Sequence, residues 1–376
     1  MVSPPSSPQG SQDKGTAKAV GNIYKATRWT LVREKDPNEG KDQRAATPQL
    51  APEPPGQLPS AQPPQRPPQT LRVLYLFAGR ARWGDIRHHL HKLARQCGAR
   101  LHMEEFDIER ADDHDLSAGP LWEEIMEKLR AGGHDVLVLA PPCEDFTRVK
   151  YSLSEGPPPS RSKEHPRGFP GLQGEARRKA ASANLLVDRS LEAAEAAHEA
   201  GAAFLLEHPE DLGRAPGGFP ASIWQWPSTK ELASKTEAQT VATQQQHFKG
   251  ARHVKPTRFF GTLLGMAELG DEGWPYFDTE GYYQGPVPPP PLDYKTKYVP
   301  LVGIDPMTGT FRTRPSGAYP EGLCELIAKV IFDHWLASVE LEPLSPKGRG
   351  IAGVEHDPPP KRVRLLPAKK ARTEDP

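Results

Sequence analysis

The sequence predicts an α/β fold in which a mostly parallel sheet carries helices on both faces. Short apolar runs, too brief for helices, alternate along the chain with longer segments whose apolar residues recur at helical spacing. The apolar runs also end in glycine, proline or an acidic residue, as strands do where the chain leaves a sheet. Strands that alternate with helices are typical of an open, mostly parallel sheet covered on both sides.

The predicted elements follow one another in regular order. Residues 71–79 form an apolar run that ends in glycine, which fits a buried strand. Residues 85–96 repeat their apolar side chains at helical spacing and stop before Gly98, so a helix is predicted there. The later predicted elements are a strand at 100–106, a helix at 120–131, a strand at 135–140, a helix at about 174–200 and a strand at 202–207.

Chemically distinctive residues come directly after four of these strands. They are Gly79, Asp107, the segment 141–143 and Glu207. In open parallel sheets, ligands bind in the crevice outside the carboxyl ends of the strands. The sequence therefore predicts that four separate segments converge on one crevice.

Proline content limits how much of the chain can form a core. The chain has 376 residues and 43 prolines, well above the usual share of roughly 5%. The proline-rich segments 1–70 and 342–376 are expected to be mostly disordered, because they bury too little apolar surface to offset their ordering entropy. Residues 71–341 remain, enough for one domain. No apolar run approaches the length of about eighteen residues that a membrane span needs.

Charge and cysteine usage narrow the class of protein. The formal net charge is zero, so no global field attracts the chain to nucleic acid. Two basic clusters in residues 358–372 are typical of a nuclear import signal or a phosphate-contacting arm, although an ordinary solvated tail has the same composition. The three cysteines are scattered and odd in number, which favours a reducing, intracellular location and predicts no metal site.

Cys143 is the main candidate for a catalytic nucleophile. It ends the sequence VLVLAPPC, in which Pro141 and Pro142 fix φ and remove two backbone donors, so the chain must leave the strand and hold the next side chain in a defined direction. A thiolate held at a ligand crevice would be a good nucleophile. Most cysteines are small buried hydrophobic residues, and this interpretation is kept for Cys97 and Cys324.

The segment LLEHP brings a carboxyl group to the same predicted edge. Glu207 follows an apolar strand, and a glutamate in a tight site can act as an acid near neutral pH. His208 could bind a phosphate or cap the loop. At the first strand, no G-x-G-x-x-G pattern follows Gly79, so a pyrophosphate cradle is not indicated. Asp107 is placed to accept hydrogen bonds from ribose hydroxyls, with Glu105 as a neighbouring candidate.

The ordered segments LFAG, FDIE, APPCEDFT and LLEHP resemble the motifs of the DNA cytosine-5 methyltransferases, in particular the divergent, retroelement-associated type. The later segments QHFKGARHVKPT at 246–257 and YPEGLCELIA at 319–328 are also similar to that family, and the resemblance covers about residues 71–336. It implies a Rossmann-like methyltransferase fold, S-adenosyl-L-methionine as cofactor and DNA as substrate. It also suggests a short target-recognition insert at 259–310.

The resemblance also implies roles for individual residues. Cys143 would attack C6 of a cytosine flipped from the stack, and Glu207 would engage N3 of the same ring. The positions implied for the cofactor are Phe77, Ala78, Gly79, Asp107, Asp115 and Pro142. The basic residues that would contact phosphate or position the base are Lys249, Arg252, Lys255 and Arg258, with a solvated basic loop as the alternative. The aromatic residues considered for base stacking, or else for core packing, are Trp224, Trp226, Trp274, Tyr282 and Tyr283.

Two departures from the family pattern leave other functions open. The family's Glu-Asn pair is Glu207-His208 here, and the acids Glu144 and Asp145 beside the cysteine oppose formation of a thiolate. A catalytically inactive, methyltransferase-like module that binds nucleic acid is therefore one alternative. An RNA cytosine-5 methyltransferase is another, because the same attack on C6 serves either polymer.

Overall fold

Seven strands form a single mixed sheet in the order β2-β1-β3-β4-β6-β5-β7. The computed structural model describes residues 69–152, 156–287 and 298–340. The disorder expected for 1–70 and 342–376, and the basic clusters at 358–372, thus fall outside the described residues, apart from positions 69 and 70. The strands are β1 (Thr70–Leu76), β2 (Arg100–Phe106), β3 (Val136–Leu139), β4 (Ala203–Pro209), β5 (Gln239–Gln244), β6 (Pro256–Gly261) and β7 (Asp271–Glu272).

The sheet is parallel in one half and antiparallel in the other. Strands β2, β1, β3 and β4 pair in parallel, whereas β6 lies antiparallel to both β4 and β5, and β7 is antiparallel to β5. The prediction of a mostly parallel sheet is therefore correct for the first half only. Residues 245–255 join β5 to β6 through a short loop, and a parallel connection needs a longer crossover, usually containing a helix. Adjacent antiparallel pairing is the arrangement that this connection permits.

Helices cover both faces of the sheet, as predicted. They are α1 (Ile86–Gln96), α2 (Gly119–Arg130), α3 (Gly174–Glu199), α4 (Pro227–Thr236) and α5 (Glu321–Glu340). Successive side chains of strand β1 point to opposite faces of the sheet, and each face packs in a separate hydrophobic core. Leu74 and Leu76 pack with α2, α3 and α4, whereas Val73 and Tyr75 pack with α1 and α5. None of the described helices is long and apolar enough to cross a membrane.

The predicted elements are all present, with two boundaries that matter for the site. The strand predicted at 71–79 ends at Leu76, so residues 77–79 form a loop. The strand predicted to end at Glu207 continues to Pro209, because β6 pairs along its far side and Glu207 lies opposite Phe259. On its other side, the pairing with β3 stops at Leu206. The backbone of Glu207 therefore pairs with β6 on one side, whereas on the other side it lies beyond the end of the pairing with β3.

The region suggested as a target-recognition insert begins within the sheet. Residues 259–261 belong to β6, and Asp271–Glu272 form the edge strand β7. The first part of this region, through Glu272, thus contributes two stretches to the main sheet. Two isolated bridges, Phe277 to Tyr283 and Ile304 to Phe311, lie in the described parts of this later region.

Candidate active site

A large cleft lies beyond the carboxyl ends of the parallel strands. Its volume is about 1720 Å³, and Gly79, Asp107, the segment 141–143 and Glu207 all line it. The predicted convergence of four segments on one crevice is therefore confirmed. A pocket for one small molecule typically occupies roughly 300–1,000 Å³. This cleft has room for two such ligands.

The loop after β1 has an uncommon backbone conformation. Phe77 has a φ of 63° and Gly79 a φ of 64°. A positive φ is rare for a bulky side chain, and such residues cluster at functional sites. The Phe77 amide donates to the carbonyl oxygen of Phe106 at 2.8 Å, which fixes the loop against the end of β2. Phe77, Ala78 and Gly79 all line the cleft.

Asp107 braces this loop from the end of β2. Its Oδ2 accepts a hydrogen bond from the Gly79 amide at 2.8 Å, and its Oδ1 accepts one from the Glu109 amide at 2.7 Å. Each carboxylate oxygen has a further lone pair. Asp107 lines the cleft, so it can still accept a hydroxyl hydrogen bond from a ligand.

Glu105, the other candidate for binding ribose, forms ion pairs with two arginines. Its Oε2 lies 2.5 Å from Arg87 Nε, and its Oε1 lies 2.9 Å from Arg110 Nη2. Arg110 also donates through Nε to the carbonyl oxygen of Gly79 at 2.6 Å. Glu105 and Arg110 therefore support the loop after β1, and Asp107 is the better placed acceptor.

Cys143 follows Pro141 and Pro142 and begins a short 3-10 turn. It is half-buried, and its carbonyl oxygen accepts a hydrogen bond from the Phe146 amide at 2.9 Å. Burial raises the pKa of the Cys143 thiol. The charge of Lys255 acts in the opposite direction, while those of Glu207 and Glu144 raise this pKa further. The net pKa is raised, so the neutral thiol is the main form near neutral pH.

Asp145 does not oppose thiolate formation as the sequence suggested. Its Oδ1 lies 2.7 Å from Lys150 Nζ and its Oδ2 lies 2.9 Å from Arg161 Nη2. Burial would raise the pKa of Asp145, but these two cations outweigh it and the pKa is lowered. The Asp145 charge is thus compensated, and the exposed Glu144 remains as the unfavourable neighbour in sequence.

Arg161 ties the segment after Cys143 to helix α3. Its guanidinium is buried and donates to Asn184 Oδ1 at 2.8 Å and to the carbonyl oxygen of Ala180 at 3.2 Å. The same group lies 4.0 Å from the centre of the Phe146 ring. No sequence signal predicted this role, because the proline-rich surroundings of Arg161 have no periodicity.

Glu207 lies in the cleft wall, where one of its two carboxylate oxygens is held firmly. Its Oε2 accepts a hydrogen bond from the Tyr319 hydroxyl at 3.0 Å. Its Oε1 lies 3.7 Å from Lys255 Nζ, and this buried atom has no hydrogen-bond partner among the described residues. Tyr319 was not predicted as a site residue, although it begins the segment similar to the family's last motif.

His208 packs against aromatic side chains of the core and also lines the cleft. Its ring makes edge contacts with Phe146 and Trp224, at centroid distances of 5.1 and 6.2 Å. Burial, followed by the nearby charges of Lys255 and Arg161, lowers the pKa of His208 to about 3. The ring is therefore neutral at physiological pH. A neutral ring offers a phosphate no charge, and its Nε2 has no hydrogen-bond partner among the described residues.

The four predicted basic contacts divide into buried and exposed residues. Arg258 has no exposed surface, and its Nε lies 2.7 Å from Glu210 Oε2, so its proposed phosphate contact is wrong. Lys255 is also buried and belongs to the cleft wall. Lys249 and Arg252 are exposed and lie outside the cleft lining. These two remain accessible to a nucleic-acid backbone.

Asp115 does not lie at the cleft, contrary to expectation. It is absent from the cleft lining, and its Oδ1 accepts a hydrogen bond from the Ser117 amide at 2.8 Å. The side chain stabilises the turn that leads into α2. Pro142, by contrast, lines the cleft as predicted.

The aromatic and cysteine predictions have mixed outcomes. Trp224 and Trp226 are buried in the core, whereas Tyr282 is 46% exposed. Trp274 and Tyr283 are half-buried, and Tyr283 lines the cleft. Cys324 is buried as expected, but Cys97 is exposed because it caps the end of α1 on the surface. Among the described residues, no cluster of three or more potential metal ligands is close enough to hold a metal ion.

The sequence was compared with models of known protein families and with curated proteins. No family model matches the chain, and no curated protein matches it significantly.

Proposed function

We propose that this chain transfers a methyl group from S-adenosyl-L-methionine to C5 of cytosine in DNA. The observation that carries the proposal is a nucleophile and a hydrogen-bonding carboxylate in one cleft. Cys143 and Glu207 both line it, and Glu207 has a buried oxygen without a hydrogen-bond partner. A buried polar atom of this kind is costly unless a ligand supplies a hydrogen-bond partner.

The two side chains match the chemical requirements of cytosine. C5 is a poor nucleophile until another group adds to C6. The Cys143 sulfur, as a thiolate, forms a bond to C6, and Glu207, acting as an acid, donates its proton to N3, where electron density builds up. C5 then accepts the methyl group. Loss of the C5 proton to water breaks the bond between sulfur and C6 and returns the thiolate, and N3 returns its proton to Glu207. One difficult step is thus divided into easier ones.

Other residues of the cleft lining suit the cofactor, which supplies the electrophilic methyl group. Asp107 retains acceptor lone pairs for the ribose hydroxyls. Phe77, Ala78, Gly79 and Pro142 would border the rest of the molecule. The cleft volume of about 1720 Å³ is compatible with a cofactor and a flipped base at the same time.

The sheet supports the same proposal at the level of the fold. Four parallel strands with helices on both faces agree with a Rossmann-like methyltransferase fold, and the cleft lies at the expected edge. The antiparallel β6, placed between β4 and β5, brings Lys255 beside Glu207. DNA as substrate also agrees with the nuclear location that the basic clusters at 358–372 predict.

A trapping experiment tests the proposal directly. The protein is incubated with S-adenosyl-L-methionine and DNA that contains 5-fluorocytosine, and denaturing electrophoresis detects covalent complexes. Fluorine cannot leave as the C5 proton does, so the bond between sulfur and C6 persists. We expect an adduct that requires the cofactor and is abolished by Cys143→Ala.

The exposed Cys97 provides the matched control. Cys97→Ala should form the adduct as the wild type does, because this residue lies outside the cleft. An adduct that survives Cys143→Ala would contradict the assignment of the nucleophile. An adduct with 5-fluorocytosine RNA alone would make RNA the substrate. Absence of any adduct, despite measurable cofactor binding, would reject catalysis and favour the inactive binding module.

A further inference from the structure

Lys255 is a buried cation in the wall of the cleft. Its side chain is 11% exposed, and its Nζ lies 3.7 Å from Glu207 Oε1 and 5.9 Å from the centre of the Tyr319 ring. The backbone holds this position firmly, because the Lys255 carbonyl oxygen accepts a hydrogen bond from the Gln245 amide at 3.1 Å. A buried ammonium group is unfavourable unless nearby anions compensate it.

Glu207 is the main anion beside this cation. The distance of 3.7 Å is that of an ion pair but is longer than a hydrogen bond, and Oε1 of Glu207 has no hydrogen-bond partner among the described residues. Cys143 lines the same cleft as Lys255 and can supply a second anion there. Burial lowers the pKa of Lys255, but Glu207 and the Cys143 thiolate outweigh this effect and the net pKa is raised. Lys255 therefore stays charged at neutral pH.

Before the base binds, the cleft holds the carboxylate of Glu207 near a cysteine that must become a thiolate. Glu207 raises the pKa of the Cys143 thiol, so the carboxylate that binds the base also disfavours the thiolate that attacks it. Lys255 acts on the same thiol in the opposite direction. A single cation that pairs with Glu207 and also favours the thiolate reduces this conflict.

We propose that Lys255 is a positioning residue that stabilises the Cys143 thiolate and offsets the charge of Glu207. This role rests on the proposed function for its purpose. The effect of Lys255 on the pKa of the Cys143 thiol can nevertheless be measured without substrate. It also replaces the phosphate contact that the sequence suggested for Lys255. The charged groups that act on the thiol are Lys255, Glu207 and Glu144. Tyr319 hydrogen-bonds to Glu207, and the neutral His208 is influenced by the charges of Lys255 and Arg161.

Alkylation of Cys143 as a function of pH tests the inference. The rate of reaction with iodoacetamide is measured for the Cys143 peptide by mass spectrometry, in a Cys97→Ser background that removes the exposed thiol. An opposite charge within about 4–6 Å changes a pKa by about one to three units. We expect Lys255→Met to raise the midpoint of the alkylation profile by about one unit and to slow the reaction below the midpoint about tenfold. Lys255→Arg should preserve the wild-type profile.

Two controls separate this role from a general effect on folding. Lys329→Met removes a lysine whose partners Glu268 and Asp333 lie outside the cleft lining, and should leave the profile unchanged. Lys255→Met is also made in a Glu207→Gln background, where no uncompensated carboxylate remains to destabilise the fold. The midpoint should still rise relative to Glu207→Gln alone. An unchanged midpoint in this folded pair would overturn the proposal, whether or not the protein methylates any substrate.

Discussion

At the scale of single residues, the environment of Cys143 depends on side chains far from it in the sequence. The acid Asp145 is compensated by Lys150 and Arg161, so its proximity in sequence has little electrostatic consequence for the thiol. Arg161 also packs on the Phe146 ring. The segment that carries Cys143 is thus held by a buried arginine.

Arg161→Met should therefore destabilise the protein. Removing one partner of a buried charge pair typically costs about 3–5 kcal/mol, and we expect a value near 3 kcal/mol because Lys150 still compensates Asp145. Urea unfolding measures the change. Arg178→Met is the control, since Arg178 forms an exposed pair with Glu175 and its loss should cost about 0.5 kcal/mol or less. Equal losses for the two variants would contradict the structural role of Arg161.

At the scale of the elements, the pairing of β4 with β6 brings the carboxylate and the cation together. Glu207 lies on β4 opposite Phe259 of β6, and Lys255 comes directly before the first residue of β6. The approach of the two strands is close at Gly261. A Cβ atom there would overlap the carbonyl oxygen of Phe204.

Gly261→Ala should weaken this pairing. The added methyl group must displace the β4 backbone, and overpacking of this kind costs about 1–3 kcal/mol. Thermal or urea unfolding measures the loss. In Gly119→Ala, the first residue of α2 gains a Cβ that meets no atom within 4 Å, so stability should be unchanged or slightly higher. A neutral Gly261→Ala variant would mean that β4 and β6 are less closely packed than the structure indicates.

At the scale of the whole molecule, His208 should make the free energy of unfolding decrease as the pH falls. The pKa of this buried ring is lowered to about 3 from an ordinary value of 6.5. Between pH 6.5 and pH 3 the unfolded chain binds a proton at His208 that the folded protein does not bind. The stability that the neutral, buried ring contributes is therefore present above pH 6.5 and is lost progressively as the pH falls towards 3.

His208→Gln should flatten this dependence. Each pKa unit corresponds to about 1.4 kcal/mol, and the unfolded histidine is already half protonated at pH 6.5, so the wild type should lose about 2 kcal/mol more than the variant between pH 6.5 and pH 4.5. Urea unfolding at several pH values gives both curves. His198→Gln, at an exposed position near the end of α3, should follow the wild-type curve. If His208→Gln did so too, the buried ring would not be the source of the acid sensitivity.

The sequence by itself determined the first half of the fold and the main features of the cleft. Apolar runs and helical spacing depend on local residue order, so the alternating elements from residue 70 to residue 209 were predictable. The end of each parallel strand was also readable from glycine, proline and acidic residues. For that reason Gly79, Asp107, Cys143 and Glu207 could be assigned to one crevice before the structure was known.

Only the tertiary structure decided the charges inside that crevice. Lys255 and Arg258 stand three residues apart and look alike in sequence, but one faces the cleft and the other is buried against Glu210. Tyr319 and Arg161 carry no local signal for their contacts with the site. Burial and ion pairing arise between segments distant along the chain, and electrostatic energies depend on those distances and on solvent exclusion. The residue types thus indicate which chemistry is available, and the packing of β4, β6 and the start of α5 sets its charge balance.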